Sequence, residues 1–179
     1  MPQVTSPQQL LVHELKDMYY AEKALTRTLP QLAREASDRE LESAFRSHLK
    51  ETEKHVANLE RVFEHLGTSP EAHPCPGIEG IKKEHDDFMQ ENRPTRQIKD
   101  VFLTGAAARA EHYEIAAYTG LVGQARALGE REAVDLLQQN LRQEKEALKK
   151  VESISKRIVK DAANGRQRSS KNGRRSARR

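Results

Sequence analysis

Charged and polar residues stand inside the apolar seams of the predicted helices, and this pattern limits what the chain can fold into. Along four segments apolar residues recur every three or four positions, which is the spacing of one helix face. Three of these seams carry glutamates at their centres: Glu22, Glu111, Glu114 and Glu144. The second seam has His48, Thr52 and His55 there. A buried ionised carboxylate costs on the order of several kcal/mol unless it is paired or bound to a metal. The four seams therefore need a common explanation.

The composition favours an all-α protein. Charged residues make up 32% of the 179 residues and aromatic residues 4%, with no Trp. Sheet proteins usually need more β-branched and aromatic residues than this, whereas solvated helices suit the observed balance. Capping boxes at Ser6 and Ser37 predict the starts of the first two helices, and Thr95 is the predicted cap of the third. Gly129 precedes the fourth.

The segment 67–93 separates two pairs of long helices. It is rich in proline and glycine and is too long for a hairpin turn. Within it, residues 78–90 can form one short helix. We therefore expect a four-helix bundle of two hairpins, joined by a crossover that contains an extra short helix.

The seam glutamates are predicted to lie at one height. In an antiparallel hairpin, residues equally far from the turn face each other. A turn near residue 37 places Glu22 opposite residue 52, between Glu51 and His55. A turn near residue 129 places Glu114 opposite Glu144. The spacing thus predicts a cluster of carboxylates at mid-height in the bundle.

Carboxylates with some imidazole suit iron or manganese, and two glutamate-bearing hairpins are the plan by which bundles hold two such ions. Cys75 is the only cysteine, which excludes an intrachain disulfide and a thiolate zinc cluster. His55 is favoured over His48 as the nitrogen ligand, and a site with neither stays open. In the alternative, a metal-free bundle, Arg109 and Lys145 would supply ion-pair partners.

Positive charge is concentrated at the C-terminus. Residues 162–179 hold seven Lys and Arg and no acidic residue, while residues 1–161 have 24 basic against 27 acidic side chains. We expect a helical domain over 1–161 and a disordered Arg/Lys-rich tail over 162–179. Such a tail can bind nucleic acid without reading its sequence. No stretch resembles a membrane span or signal peptide, so a cytoplasmic protein with no membrane contact is expected.

Several segments carry a resemblance to a known family: 20–25 (YAEKAL), 48–52 (HLKET), Cys75 with Glu79 and Gly80, 111–116 (EHYEIA), and Glu144 with Lys145. Together they resemble the YciF-like bacterial stress-response proteins of the ferritin-like superfamily, over about residues 8–160. The resemblance implies a ferritin-like four-helix bundle, a homodimer and a di-iron centre. Carried over by position, the metal ligands would be Glu22, Glu51, Glu111, Glu114 and Glu144.

Two kinds of function follow from these patterns. The leading hypothesis is a ferritin-like stress-response protein whose di-iron centre reacts with O₂ or peroxide, as a ferroxidase or a peroxide-reducing oxidoreductase. The alternative is a metal-poor helical scaffold, or an interaction module whose basic tail binds nucleic acid.

Overall fold

Five helices account for nearly all of the described chain. The computed structural model describes the backbone of residues 4–176 and the side chains of residues 4–164. The helices are α1 (Pro7–Glu35), α2 (Arg39–His65), α3 (Pro76–Glu91), α4 (Arg96–Ala127) and α5 (Arg131–Ser176). No strand occurs within residues 4–176. The predicted all-α class, with four long helices and one short helix between the pairs, is confirmed.

Local signals in the sequence set most of the helix ends. Ser6 and Thr95 cap α1 and α4 as predicted, each accepting a backbone N–H with its side chain. The expected cap at Ser37 is wrong by one residue. Asp38 caps α2 instead, and its side chain accepts the backbone N–H groups of Glu40 and Leu41 at 3.1 Å. The backbone N–H of Ser37 donates to Asp100 of α4, 2.8 Å away. At the other end of α2 the chain turns at Gly67, whose φ of 66° suits glycine.

The long helices form a ring in the order α1, α2, α5, α4, each packed on its two neighbours. Contacts at the two ends fix the directions. Gln124 near the end of α4 donates to Glu14 near the start of α1, so these helices are antiparallel. Arg157 late in α5 binds Asp38 at the start of α2, so these helices are antiparallel too. The crossover therefore runs the length of the bundle, as the sequence predicts.

Short helix α3 is held against α1 and α4. Cys75, fully buried, occupies the N-cap position of α3 without a side-chain capping hydrogen bond. Its Sγ lies 2.8 Å from the Tyr113 hydroxyl, which donates to Asp17 of α1 at 3.1 Å. Gly77 allows the close approach, because a Cβ there would stand 2.4 Å from the Tyr113 ring. Cys75 is thus a packing residue that anchors the crossover.

The helical backbone of α5 continues past Asp161 to Ser176. Side chains beyond residue 164 lie outside the described residues, so the disorder expected for residues 162–179 stays a prediction. Within the part of the chain that the structure describes, none of the helices combines the length and apolar character that crossing a membrane requires.

Candidate metal centre

The seam glutamates meet at mid-height, buried among all four long helices. Glu22 of α1 and Glu144 of α5 are 0% exposed, and Glu114 and Glu111 of α4 are 1% and 4% exposed. The predicted meeting at one height is therefore confirmed for Glu22, Glu114 and Glu144, and Glu111, one turn from Glu114, joins them. Apolar residues of the same seams continue above and below them, so the polar cluster is enclosed at both ends by the core.

One part of the cluster, the inner group, consists of Glu22, His55 and Glu144. Nδ1 of His55 lies 2.8 Å from Oε1 of Glu144 and 3.3 Å from Oε1 of Glu22. All three side chains are fully buried. One ligand atom from each lies within 4.8 Å of the others, which is close enough to hold a metal ion.

The second part, the outer group, consists of His48, Glu111, Glu114 and Glu144. Nε2 of His48 lies 3.3 Å from Oε1 of Glu111 and 3.5 Å from Oε2 of Glu144. One potential ligand atom of each of the four residues again falls within 4.8 Å of the others. Glu144 belongs to both groups and directs one oxygen toward each histidine. The two groups are therefore adjacent and share a carboxylate.

Both histidines present one ring nitrogen to the glutamates and the other to an acceptor. Nε2 of His55 donates to Oε1 of Gln143 at 2.9 Å, and Nδ1 faces the inner group. Nδ1 of His48 faces Oε2 of Glu51 at 3.5 Å, which leaves Nε2 facing the outer group. An acceptor behind the ring is the usual arrangement for a metal-binding histidine, because it fixes the ring and the tautomer.

Many ligand atoms in the cluster have no hydrogen-bond partner. Among the described side chains, six buried glutamate oxygens are unpartnered: Oε2 of Glu22, Oε2 of Glu111 and both oxygens of Glu114 and Glu144. His55 Nδ1 is also without a hydrogen bond, although it lies 2.8 Å from Glu144, because the geometry is wrong for one. Buried polar atoms are rarely left unpaired. Close atoms that face a common point without bonding each other fit a shared metal ion.

The charges of the cluster are also unbalanced. Among the described side chains, the only basic groups within 4 Å of the four buried glutamates are His48 and His55. The suggested ion-pair partners lie elsewhere: Arg109 pairs with Glu84 at 3.0 Å, and Lys145 is exposed. Four carboxylates beside neutral imidazoles would instead be balanced by two divalent cations.

Without such cations the cluster must hold protons. Burial raises the pKa of three glutamates above its usual range: Glu22, Glu111 and Glu114. Burial alone would lower the pKa of both imidazoles, but the surrounding carboxylates outweigh it and raise the pKa to about 9 for His48 and about 10 for His55. Bound metal ions would replace these protons.

Hydrogen bonds brace the inner group from one side. The hydroxyl of Tyr118 donates to Glu22, and the amide of Asn140 donates to the Tyr118 oxygen at 3.0 Å. Asn140 also donates to the His55 carbonyl at 3.3 Å and accepts from Asn58 at 2.8 Å. Burial and the Glu22 carboxylate raise the Tyr118 pKa well above its usual range, so this hydroxyl keeps its proton.

Glu51, expected to be a ligand, lies at the edge of the cluster. Its side chain is 35% exposed and it belongs to neither group, since its carboxylate faces the outer nitrogen of His48. His48, ranked below His55 from the sequence, stands in the outer group. His48, Thr52 and His55 are spaced by four and three residues, which places both imidazoles on the buried face of α2. This spacing was the sequence signal that His48 also belongs to the cluster. Gln143 gave no signal, because it lies outside the apolar seam.

The fold and the site place the chain in a class of proteins: antiparallel helical bundles whose buried glutamates and histidines can hold metal ions. Within that class, the chain belongs to the family described as a domain of unknown function, DUF892, which matches residues 6–164. This match, together with the similarity to YciF of Escherichia coli in sequence and in structure, confirms the resemblance to YciF-like proteins.

The relatives agree with this assignment. Protein YciF of Escherichia coli strain K12 is 37% identical over 137 residues, which cover 76% of this chain and 82% of that protein. The crystal structure of the E. coli stress protein YciF matches with a TM-score of 0.83 and 34% identity over 88% of this chain and 99% of that one. YcfI of Rhodopseudomonas palustris, described as a structural protein, matches with a TM-score of 0.81 and 37% identity over 84% and 95%.

Proposed function

We propose that the chain is a ferritin-like stress-response protein whose bundle holds two iron ions and reacts them with O₂ or peroxide. The observation that carries the proposal is the set of six buried, unpartnered carboxylate oxygens beside two histidine nitrogens. Its donor set, oxygen with some imidazole and no thiolate, suits iron and also manganese. Cys75 is engaged with Tyr113 at α3 and contributes no sulfur. The stress role is supported by the description of the E. coli relative.

The chain's own residues would bind the ions, set their charge and keep water out. When bound, the ions would supply the redox chemistry. The protein would then act either as a ferroxidase or as a peroxide-reducing oxidoreductase. Anionic glutamates favour the more highly charged, oxidised ion by Coulomb attraction, most of all Glu144, which faces both groups. Tyr118 holds Glu22 in place through its hydroxyl. The apolar core at both ends of the cluster restricts access of bulk water.

Removal of the shared carboxylate tests this proposal. We expect Glu144→Ala to lose both iron ions and the oxidation of Fe(II) when anaerobically loaded protein is mixed with oxygen. Glu152→Gln is the matched control, because Glu152 is exposed on the same helix and takes no part in the cluster. Iron content by elemental analysis and oxidation by ultraviolet absorbance are the two measurements. Unchanged iron binding and oxidation in Glu144→Ala would refute the assignment of iron to this cluster, and a wild-type protein that binds no iron would favour a metal-free bundle.

We propose as a second function that the basic tail binds nucleic acid. The supporting observation is the uneven charge of the sequence, with seven cations and no acidic residue in residues 162–179. Binding to phosphates would be weak, independent of sequence and sensitive to salt. A chain ending at Asp161 should lose retention of DNA in gel shifts at low salt, and equal retention by both chains would contradict the assignment to the tail. The two functions are compatible in one protein.

A further inference from the structure

A cleft between α2 and α5 opens onto the outer group. Its volume is about 160 Å³, and its walls include residues from three helices: Ser47, His48, Glu51, Glu111, Glu146 and Ala147. Glu146 is exposed, Glu51 is half-buried, and His48 and Glu111 are buried. The polar walls therefore lead in steps from solvent to two members of the outer group.

An unpartnered ligand atom marks the inner end of this cleft. Oε2 of Glu111 has no hydrogen-bond partner among the described side chains, and the residue is only 4% exposed. His48, also a wall residue, directs Nε2 toward Glu111 and Nδ1 toward Glu51. The cleft thus ends at ligand atoms that are free to receive a cation, and is more than an acidic patch on the surface.

Among the described side chains, the inner group has no such opening. Glu22, His55 and Glu144 are all 0% exposed, and none of them lines the cleft. Two other cavities, beside Tyr113 and beside His65, have no member of either group in their walls. Glu144 joins the two groups, with Oε2 3.5 Å from His48 and Oε1 2.8 Å from His55. A cation in the outer group is therefore already in reach of a ligand of the inner group.

We infer that divalent cations enter through this cleft, bind first at the outer group, and reach the inner group by transfer across Glu144. Glu146 and Glu51 serve as transit ligands on the way in, while Lys150 in the cleft wall opposes cation approach. This inference rests on the proposed metal centre and adds to it a path and an order of loading. The inner ion, once bound, leaves only by the same path and exchanges slowly.

Blocking the cleft tests the path. We propose to follow Co(II) binding to the full chain by stopped-flow visible absorbance, with Ala147→Trp as the blocked variant. Ala147 lines the cleft, whereas Ala116 lines the cavity beside Tyr113, so Ala116→Trp is the matched control. The indole ring introduced at position 147 would fill the cleft, and packed side chains leave little space for an ion to pass. We therefore expect Ala147→Trp to slow Co(II) binding more than about tenfold without changing the final Co(II) content. Ala116→Trp should load at the wild-type rate.

Equal loading rates for Ala147→Trp and the wild type would overturn the path while leaving the metal centre intact. No Co(II) bound by the wild type at equilibrium would overturn the metal centre and the path together. The two failures are therefore distinguishable in one experiment.

Charge variants supply a second test that does not depend on tolerance of a large ring. At low salt, Glu146→Gln should slow Co(II) loading about two- to threefold and Lys150→Gln should speed it by a similar factor, because charges at a cleft steer ions. Glu152→Gln on the same helix does not line the cleft and should leave the rate unchanged. Rates that are the same in all three variants would contradict cation passage through this cleft.

Discussion

The inner and outer groups share Glu144 but differ in how they are held. His55 of the inner group is fixed by Gln143 at 2.9 Å, and Glu22 by Tyr118, which is itself bound to Asn140. The outer group has a longer contact of 3.5 Å between His48 and half-buried Glu51, and both oxygens of Glu114 are unpartnered.

This difference indicates two roles within one cluster. A braced, fully buried set of ligands favours a retained ion, because the side chains lose little freedom on binding. A set that borders a cleft, and whose histidine is held by a longer contact, favours an exchanging ion. One bundle can thus keep one ion while the other is loaded or replaced.

Replacing each histidine separately should have the largest effect. We expect His55→Ala and His48→Ala each to weaken the binding of one of the two Mn(II) ions more than about a hundredfold, because loss of a ligand lowers metal affinity more than loss of its supporting contact. The ion left in His48→Ala should resist a chelator, and the ion left in His55→Ala should be stripped quickly. Bound Mn(II) by elemental analysis after chelation measures both. His112→Ala, exposed on α4, is the control. If the chelator removed the remaining ion equally fast from both variants, the inner and outer groups would not differ in how firmly they retain an ion.

Replacing the acceptors behind the two rings should have a smaller effect, on one ion each. We expect Gln143→Ala to weaken the inner ion and Glu51→Ala the outer ion, each about 10- to 100-fold. Mn(II) titration by calorimetry measures the two affinities. Gln139→Ala, exposed on α5, should change neither. If both variants weakened the same ion, the pairing of each acceptor with its own group would be wrong.

The metal-free protein should lose stability as pH rises. The raised pKa values of His48 and His55, about 9 and about 10, mean that stability present below pH 6.5 is lost as pH rises through the folded-state values. The raised values of Glu22, Glu111 and Glu114 act in the same direction.

We therefore expect the Tm of chelated protein to fall by about 5 °C or more from pH 6.5 to 9. With Mn(II) bound, the Tm should stay level or rise, because ions replace the protons. The pKa values of Glu144 and Glu51 are lowered, so these two groups stabilise the folded protein at neutral pH. That stabilisation is lost only as pH falls below the usual glutamate pKa, outside the interval tested. A Tm of chelated protein that rose over the same interval would show that the cluster does not hold protons.

The smallest predicted effect concerns the brace of the inner group. Tyr118→Phe leaves the Asn140 amide with one partner fewer and frees Glu22, so we expect a loss of about 1–2 kcal/mol in the free energy of unfolding. Denaturant unfolding measures it. Tyr20→Phe is the control, because the Tyr20 hydroxyl donates only to Glu79 in an exposed contact, and it should change stability by less than about 0.5 kcal/mol. Equal losses in the two variants would contradict a bracing role.

Much of the fold and part of the site follow from the sequence because helical spacing and turn positions are local properties. The seams and the two turns place Glu22, Glu114 and Glu144 at one height without any coordinates. The N-cap at Asp38 was missed because Ser37 and Asp38 are both good N-cap residues, and the local sequence does not choose between them. The division of the cluster into two groups was missed because it depends on how the side chains turn within the seam.

The position of Glu51 at the edge of the cluster was also missed from the sequence. The sequence places it next to the seam of α2, and the resemblance makes it a ligand. In the structure its carboxylate instead faces Nδ1 of His48, one turn earlier on the same helix, at 3.5 Å. The homodimer, the cytoplasmic location and the nucleic-acid partner stay predictions, because they concern other molecules or compartments.

Anomalous diffraction from crystals of the protein loaded with Mn(II) tests the metal centre most directly. We predict two peaks inside the bundle, one bounded by Glu22, His55 and Glu144 and the other by His48, Glu111, Glu114 and Glu144. A bundle interior without a peak, under conditions where Mn(II) binds elsewhere on the surface, would contradict the account.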